Sequence, residues 1–453
     1  MAEGPHDKAI VRYGAWPSSL PLERLVEDVV FLAEPGGVAD VRWWLEGRPD
    51  EGGRYALMRR EADGATTRLT PSGFNARTRV HEYGGGALLV AGELVVVSDF
   101  ATGRLQRVIA PEELQAITPE RPWRFADLEL DAPRHRILAV REDHTPDVVE
   151  RHGEWVNELV AIDLATGEVA VLDTGCDFYA APRLSPDGRH LAWIRWNHPN
   201  MPWDGTELLL ADLAGDGSLG PARVVAGSPH DWVSQPRWSP EGVLHFVAEP
   251  AGWMNLFRLL VDGSAECLLR TDAEFGRPDW QFGNHTYDFF PDGSIVAVAR
   301  RDGREELWRI EATGGAETID LPYTEIPSVT TVGPLVVMRA AGPSEPSQIV
   351  ELDPLTGRRT VLRRGTPFQP DSAATALPEH IEFPTTGGRT AHANLYRPTN
   401  PDVEGPPGEL PPLIVTAHGG PTSNAFAGWQ TGIQVFASRG YAVVDVDYGG
   451  SVG

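Results

Sequence analysis

His418-Gly419-Gly420-Pro421 follows an apolar run, Leu413 to Ala417, and precedes Phe426, Trp429, Ile433 and Phe436 at helical spacing. Two adjacent glycines let a backbone approach a carbonyl oxygen closely, and a helix N-terminus just behind them favours negative charge. The loop therefore has the makings of an oxyanion site. Asn424 is the expected N-cap of that helix and Gly440 its stop. Further on, Gly449-Gly450-Ser451-Val452-Gly453 fits the GxSxG pattern letter for letter. Acyl transfer needs a serine nucleophile, a histidine base and an aspartate to orient it. A nucleophile elbow also needs a helix immediately after the serine, with Asp and His beyond. The sequence given stops at Gly453, so Ser451 is expected to be a decoy. Residues 422–453 hold only one helix and one strand, and each further βα repeat takes some 30 residues. The triad is expected to lie beyond them.

The elements that must position this loop change character near Pro370. From Val38 to Arg364, short runs rich in Val, Leu, Ile, Trp and Phe alternate with Gly, Pro and Asp turns. One turn recurs as Ser185-Pro186-Asp187-Gly188, Ser239-Pro240-Glu241-Gly242 and Phe290-Pro291-Asp292-Gly293, at intervals of 54 and 51 residues. Four short strands per such period are the signature of a β-propeller, whose blades cannot hide their faces until they stack around a channel. Blades are expected near 38–70, 82–110, 125–172, 178–226, 232–270, 282–320 and 326–364. The expected fold class is thus an all-β seven-bladed propeller, with six or eight blades also open and an irregular pair of β-sandwiches as the alternative. Past Pro370, Ile381 to Tyr396 reads as a strand pair around Gly387-Gly388. Leu413 to Ala417 and Tyr441 to Val446 read as strands of a parallel sheet buried on both faces. This is the start of an incomplete α/β unit. The expected division is 1–35, 36–370 and 371–453.

The 453 residues carry 39 basic and 64 acidic side chains, a formal charge of −25, which argues against nucleic acid as a partner. The same charge serves solubility. Cys176 and Cys267 form no CxxC or Cys/His spacing and read as buried thiols in a reducing cytoplasm. Met1 to Ile10 lacks a basic start followed by an apolar stretch, and no apolar run approaches the roughly 20 residues that cross a bilayer. A cytoplasmic protein without membrane contact is expected. Thirteen histidines show no HExxH or i, i+4 pair, so no catalytic metal is expected. His81, His144 and His198 read as hydrogen-bonded structural residues. Gly84-Gly85-Gly86 lacks the company of a phosphate loop and reads as close strand packing.

Seven stretches carry a resemblance to a known family. They are Tyr13-Gly14-Ala15-Trp16-Pro17-Ser18, RTRVHEYGGGA from Arg77 to Ala87, REDH from Arg141 to His144, and NELVAIDL from Asn157 to Leu164. WNHPNMPWDGTEL from Trp196 to Leu208, QPRWSPEGVLHFV from Gln235 to Val247 and the HGGP loop complete the set. In order and number they resemble the prolyl oligopeptidase family (S9) of serine peptidases, in its acylaminoacyl-peptidase-like branch. The resemblance implies a propeller over the active site of an α/β-hydrolase domain, with residues 1–35 packing on the C-terminal part. It implies short peptides as substrates, no cofactor, and self-association into homo-oligomers. The N–H of Gly420 becomes the oxyanion donor, with Gly419 and His418 shaping the loop. Glu82 and Asp204 become candidates for pairing with a substrate α-ammonium group, beside the plainer reading as turn-capping carboxylates. Asp447-Tyr448-Gly449-Gly450-Ser451 looks like the family's Asn-Tyr-Arg-Gly-Ser segment. On this reading the chain holds the propeller gate and the oxyanion loop and is inactive alone. A non-catalytic propeller binding module is the competing class; it has no use for the segment after Pro370.

Overall fold

The computed structural model describes residues 8–250 and 252–453. Seven four-stranded antiparallel sheets follow one another along the chain: I (31–68), II (88–116), III (123–173), IV (178–227), V (233–267), VI (287–319) and VII (325–364). The recurring turn closes the first hairpin of sheets IV, V and VI. Its glycine lies at positive φ (Gly188 +70°, Gly242 +82°, Gly293 +81°), and its N–H donates back to the turn's first residue.

Alternation along the strands sends neighbouring residues to opposite faces, so each sheet packs on two others. In sheet III, Ile137 and Ala139 meet Val96 and Leu105 of sheet II, while Leu138 and Val140 meet Tyr179, Leu191 and Trp193 of sheet IV. One hydrophobic cluster fills every gap between consecutive sheets. A further cluster joins Val332, Val337 and Ile349 of sheet VII to Leu32, Trp44 and Met58 of sheet I. Burying each such side chain contributes about 1.5–3 kcal/mol. The result is a closed β-propeller-like ring. No strand is exchanged between sheets I and VII, each built from contiguous chain, and beside the side chains the Val30 N–H donates to the Gly365 carbonyl at 2.8 Å across the closure. A cavity of about 700 Å³ runs along the axis, lined among others by Ala33, Leu89, Leu128, Leu184, Arg237 and Ser328.

The segments entering sheets II and VI cross one end of this channel. Gly85 and Phe282 form a parallel bridge, and the Phe282 N–H donates to the Gly84 carbonyl at 2.8 Å. Gly84, Gly85 and Gly86 all have positive φ, and a Cβ on Gly84 or Gly85 would overlap the carbonyl of Thr78 or Phe282. The glycine run is close packing, as expected.

After residue 370 a mixed sheet forms from β1 (Pro378–Pro384), β2 (Thr390–Tyr396), β3 (Leu413–Ala417) and β4 (Ala442–Asp447), with helix α1 (Thr431–Ala437) between β3 and β4. The strand order is β1-β2-β4-β3, and only the β3/β4 pair is parallel. Residues 9–10 pair in parallel with 403–404, and Asn400 Nδ2 donates to the Pro17 carbonyl at 2.9 Å, so the N-terminal segment lies on this unit. Sheet I begins at Phe31, inside the stretch 1–35.

Two expectations are corrected here. β3 is not buried on both faces: Leu413 is 56% and Val415 64% exposed, because among the described residues no element covers the face that carries both, and β3 is also an edge strand. α1 starts at Thr431, with Gln430 at its N-cap position, so Asn424 caps nothing and no helix begins just behind the glycines. Residues 422–430 stay out of the helix because the ring satisfies their backbone: Trp280, Arg300, Thr324, Glu325 and Gly342 bond Thr422, Ala425, Ala427 and Trp429. Tertiary hydrogen bonds displace the local helical preference there. Among the described residues no helix is long and apolar enough to cross a membrane.

One buried acid gives the ring a pH signature. Glu274, between sheets V and VI, accepts the Met254 N–H at 2.7 Å, and burial raises its pKa to about 7. The native state therefore holds this proton up to about pH 7, whereas the unfolded chain releases it near 4.5. Stability from this group is complete below pH 4.5 and is lost as pH rises through 7. Glu274→Gln, which keeps the acceptor, should stabilise the protein at pH 8 by on the order of 2 kcal/mol and leave it unchanged at pH 4.5. Urea denaturation at the two pH values measures the difference, and an equal effect at both would refute the assignment.

Candidate active site

The glycine loop leaves the C-terminal end of β3 and faces the residues that follow β4. His418 stacks on Tyr448 with ring centres 4.3 Å apart. Its Nε2 lies 2.6 Å from Ser451 Oγ, and its Nδ1 lies 2.8 Å from the Gly419 carbonyl oxygen. The Ser451 N–H closes a turn onto the Tyr448 carbonyl, and the Val452 N–H donates to Ser423. A serine–histidine pair is therefore present, but a backbone carbonyl, not a carboxylate, faces Nδ1, and Ser451 sits in a turn rather than on a strand-to-helix elbow. Among the described residues the N–H groups of Gly419 and Gly420 donate to no protein acceptor, which leaves both available to an oxyanion. Gly420 packs directly under the Tyr448 hydroxyl, whereas nothing lies within 4 Å of a Cβ placed on Gly419.

Trp280 connects the loop to the ring. Its Nε1 donates to the Thr422 carbonyl at 2.9 Å, and its indole packs against Trp203 at 4.3 Å and Tyr83 at 5.3 Å. These rings, with His81, Phe178, Trp196 and Phe282, line a second cavity of about 320 Å³ in the mouth of the ring. That is the size of a small-ligand site, and its walls are mostly apolar. Phe178 and Trp196 stack at 5.1 Å, and His81 meets both edge-on. Burial lowers the His81 pKa to about 4, so its imidazole is neutral, and its Nε2 has no partner among the described residues.

The expected carboxylates separate. Glu82 lines this cavity and pairs with Arg79 at 2.6 Å and Arg124 at 3.7 Å; the Arg79 hydrogen bond holds its carboxyl below the usual range. Asp204 does not line the cavity and caps its own turn by accepting the Met201 N–H at 2.8 Å. A third carboxylate, not singled out from the sequence, does line it. Asp279 accepts from Asn284 Nδ2 at 2.7 Å, and burial raises its pKa to about 6 against that lowering hydrogen bond. Its only sequence signal is its place immediately before the aromatic stretch from Trp280 to Phe282. His198 also lines the cavity, while His144 bonds Glu142 at 2.9 Å. Cys176 and Cys267 are half-buried rather than buried, and burial raises the Cys267 thiol's pKa.

Solved peptidase structures share this fold. A puromycin-hydrolysing peptidase of Mycobacterium tuberculosis superposes with a TM-score of 0.91 at 33% identity, over 98% of this chain and 70% of its own. A puromycin hydrolase gives 0.90 at 34%, with the same coverage. The Pyrococcus horikoshii acylaminoacyl peptidase, 14% identical with a TM-score of 0.66, over 95% of this chain and 67% of its own, shares the fold. No protein-family model and no curated protein matches the sequence. The chain belongs to the prolyl oligopeptidase (S9) family of serine peptidases.

Proposed function

We propose that the protein is a serine oligopeptidase that hydrolyses short peptides by acyl transfer, and that residues 8–453 supply its gate, its side-chain pocket and its oxyanion loop. The observation that carries this is the Trp280–Thr422 hydrogen bond, which ties a tryptophan lining the aromatic cavity to the residue two positions past Gly420, in a loop with two unbonded glycine N–H groups. On this reading the seven sheets are the blades of a seven-bladed propeller (36–370, with its first strand starting at 31), and 371–453 open an α/β-hydrolase domain on which residues 8–30 pack, residues 1–7 lying outside the described ones. Gly420 donates to the oxyanion, with Gly419 and His418 shaping the loop. The cavity takes an apolar side chain. A substrate ammonium group pairs with Asp279, which no cation neutralises, rather than with Glu82, already held by two arginines, or with Asp204. The nucleophile, acid and base come from residues beyond these. The open edge of β3 supports this, since an apolar edge strand calls for a further strand beside it. The chain spans 70% of the length of the puromycin-hydrolysing relatives.

The 2.6 Å contact between His418 and Ser451 favours a second reading, in which Ser451 is itself the nucleophile. Labelling with a fluorophosphonate probe separates the two. The chain given should take up no label and hydrolyse no aminoacyl anilide above background, while its tryptophan fluorescence changes on titration with an aromatic aminoacyl amide. Stoichiometric labelling abolished by Ser451→Ala would establish the second reading. A chain extended through the remaining domain that still neither labels nor hydrolyses would leave a non-catalytic binding propeller.

A further inference from the structure

On the β1–β2 hairpin, away from the glycine loop, three potential ligands share one face. His380 and Glu382 are two residues apart on β1, so the pleat points both the same way, and the register sets His392 of β2 directly opposite Glu382. His392 Nδ1 lies 3.3 Å from His380 Nε2 and 3.8 Å from Glu382 Oε1, and the three donor atoms fall within 4.8 Å of one another. We propose that these three side chains form a binding site for one divalent transition-metal ion of the zinc class.

The distances carry the argument. Two imidazole nitrogens bound tetrahedrally to one zinc, each at about 2.0–2.1 Å, are about 3.3 Å apart, the spacing found between His380 and His392. Glu382 reaches the same point by a small rotation of its exposed side chain. A bare hydrogen bond between the imidazoles explains less, since it gives the carboxylate, too far from His392 to bond it, no part. Two imidazoles and one carboxylate suit Zn²⁺, Co²⁺, Ni²⁺ or Cu²⁺; Mg²⁺ and Ca²⁺ prefer oxygen alone. The exposed face leaves a fourth position to water.

The surroundings give the ion a mechanical consequence. His380 Nδ1 faces Gly303, in the turn between the second and third strands of sheet VI, and a Cβ there would stand 2.9 Å from that nitrogen. His392 is paired across the sheet with Asp447, whose carboxylate holds the Ala425 N–H at 2.6 Å. An ion bridging His380 and His392 fixes β1 to β2 where the sheet abuts the ring, and so tightens the seam without touching the glycine loop.

Isothermal titration of the chain with ZnCl₂ should show one tight site per molecule. His392→Ala should weaken it by roughly tenfold or more and Glu382→Gln by several-fold, with MgCl₂ failing to compete. Zn²⁺ should raise the unfolding midpoint of the wild-type protein and leave that of His392→Ala unmoved. Co²⁺ bound to the wild-type protein should develop visible bands that Zn²⁺ displaces, a readout requiring no variant. Absence of binding at millimolar metal, or unchanged affinity in both His380→Ala and His392→Ala, overturns the site.

Discussion

Replacing Glu325 by alanine should destabilise the protein by about 3–5 kcal/mol, among the largest effects of any single change at the seam. Glu325 opens sheet VII and accepts the Ala427 N–H at 2.8 Å from the loop after the glycines. Arg300 Nη1 stands 3.8 Å away, and Arg277 and Arg339 add to the positive field around the carboxylate. Arg300 is itself only 4% exposed, and its Nη2 holds the Ala425 carbonyl at 2.7 Å. The competition shows in the acids and bases alike. Burial raises the Glu325 pKa despite the cations, and it lowers those of Arg300 and Arg339. A pair of this kind gains little over an apolar substitute, but removing the carboxylate alone strands buried guanidinium charge. Glu325→Gln, which keeps an acceptor for Ala427, should cost less than alanine. Guanidinium denaturation gives the stability, and proteolysis within 421–430 reports release of the loop. A loss under 1 kcal/mol in the alanine variant would show that the cluster does not hold the two parts together.

Much of the ring is legible from sequence because its signals are local. A Pro-Asp-Gly turn is decided by the φ values of its own residues, so its interval reveals the period. The expected 178–226 and 326–364 meet observed sheets at 178–227 and 325–364. The errors sit where distant groups decide. Residues 424–430 have helical spacing, yet Glu325 and Gly342 take the N–H groups of Ala427 and Trp429 and keep the segment irregular. Leu413 to Ala417 looks like any buried strand, and only the strand order reveals an open edge. The His418–Ser451 contact joins two loops 33 residues apart. His380, Glu382 and His392 become a group only once the hairpin register is known. Asp279 matters because sheets III to VI build the cavity around it, which no motif announces.

On the proposed reading, Gly420→Ala in a chain extended through the catalytic residues should lower kcat by roughly 10²–10³ with little change in KM. A Cβ on Gly420 points into the Tyr448 hydroxyl, inside van der Waals contact. Either the ring or the loop must move, and neither moves alone, because Tyr448 stacks on His418 and His418 is bonded to Ser451. The displaced atom is the Gly420 N–H, and oxyanion stabilisation depends steeply on the position of its donor. Gly419→Ala is the matched control. The same methyl group there meets nothing within 4 Å, and Gly419 is outside the left-handed region. Its kcat should stay within a few-fold of the parent. A peptide substrate assayed over a range of concentrations separates kcat from KM. Equal damage from both substitutions would mean that the loop tolerates no side chain at all, and an unimpaired Gly420→Ala enzyme would take the oxyanion role away from this backbone group.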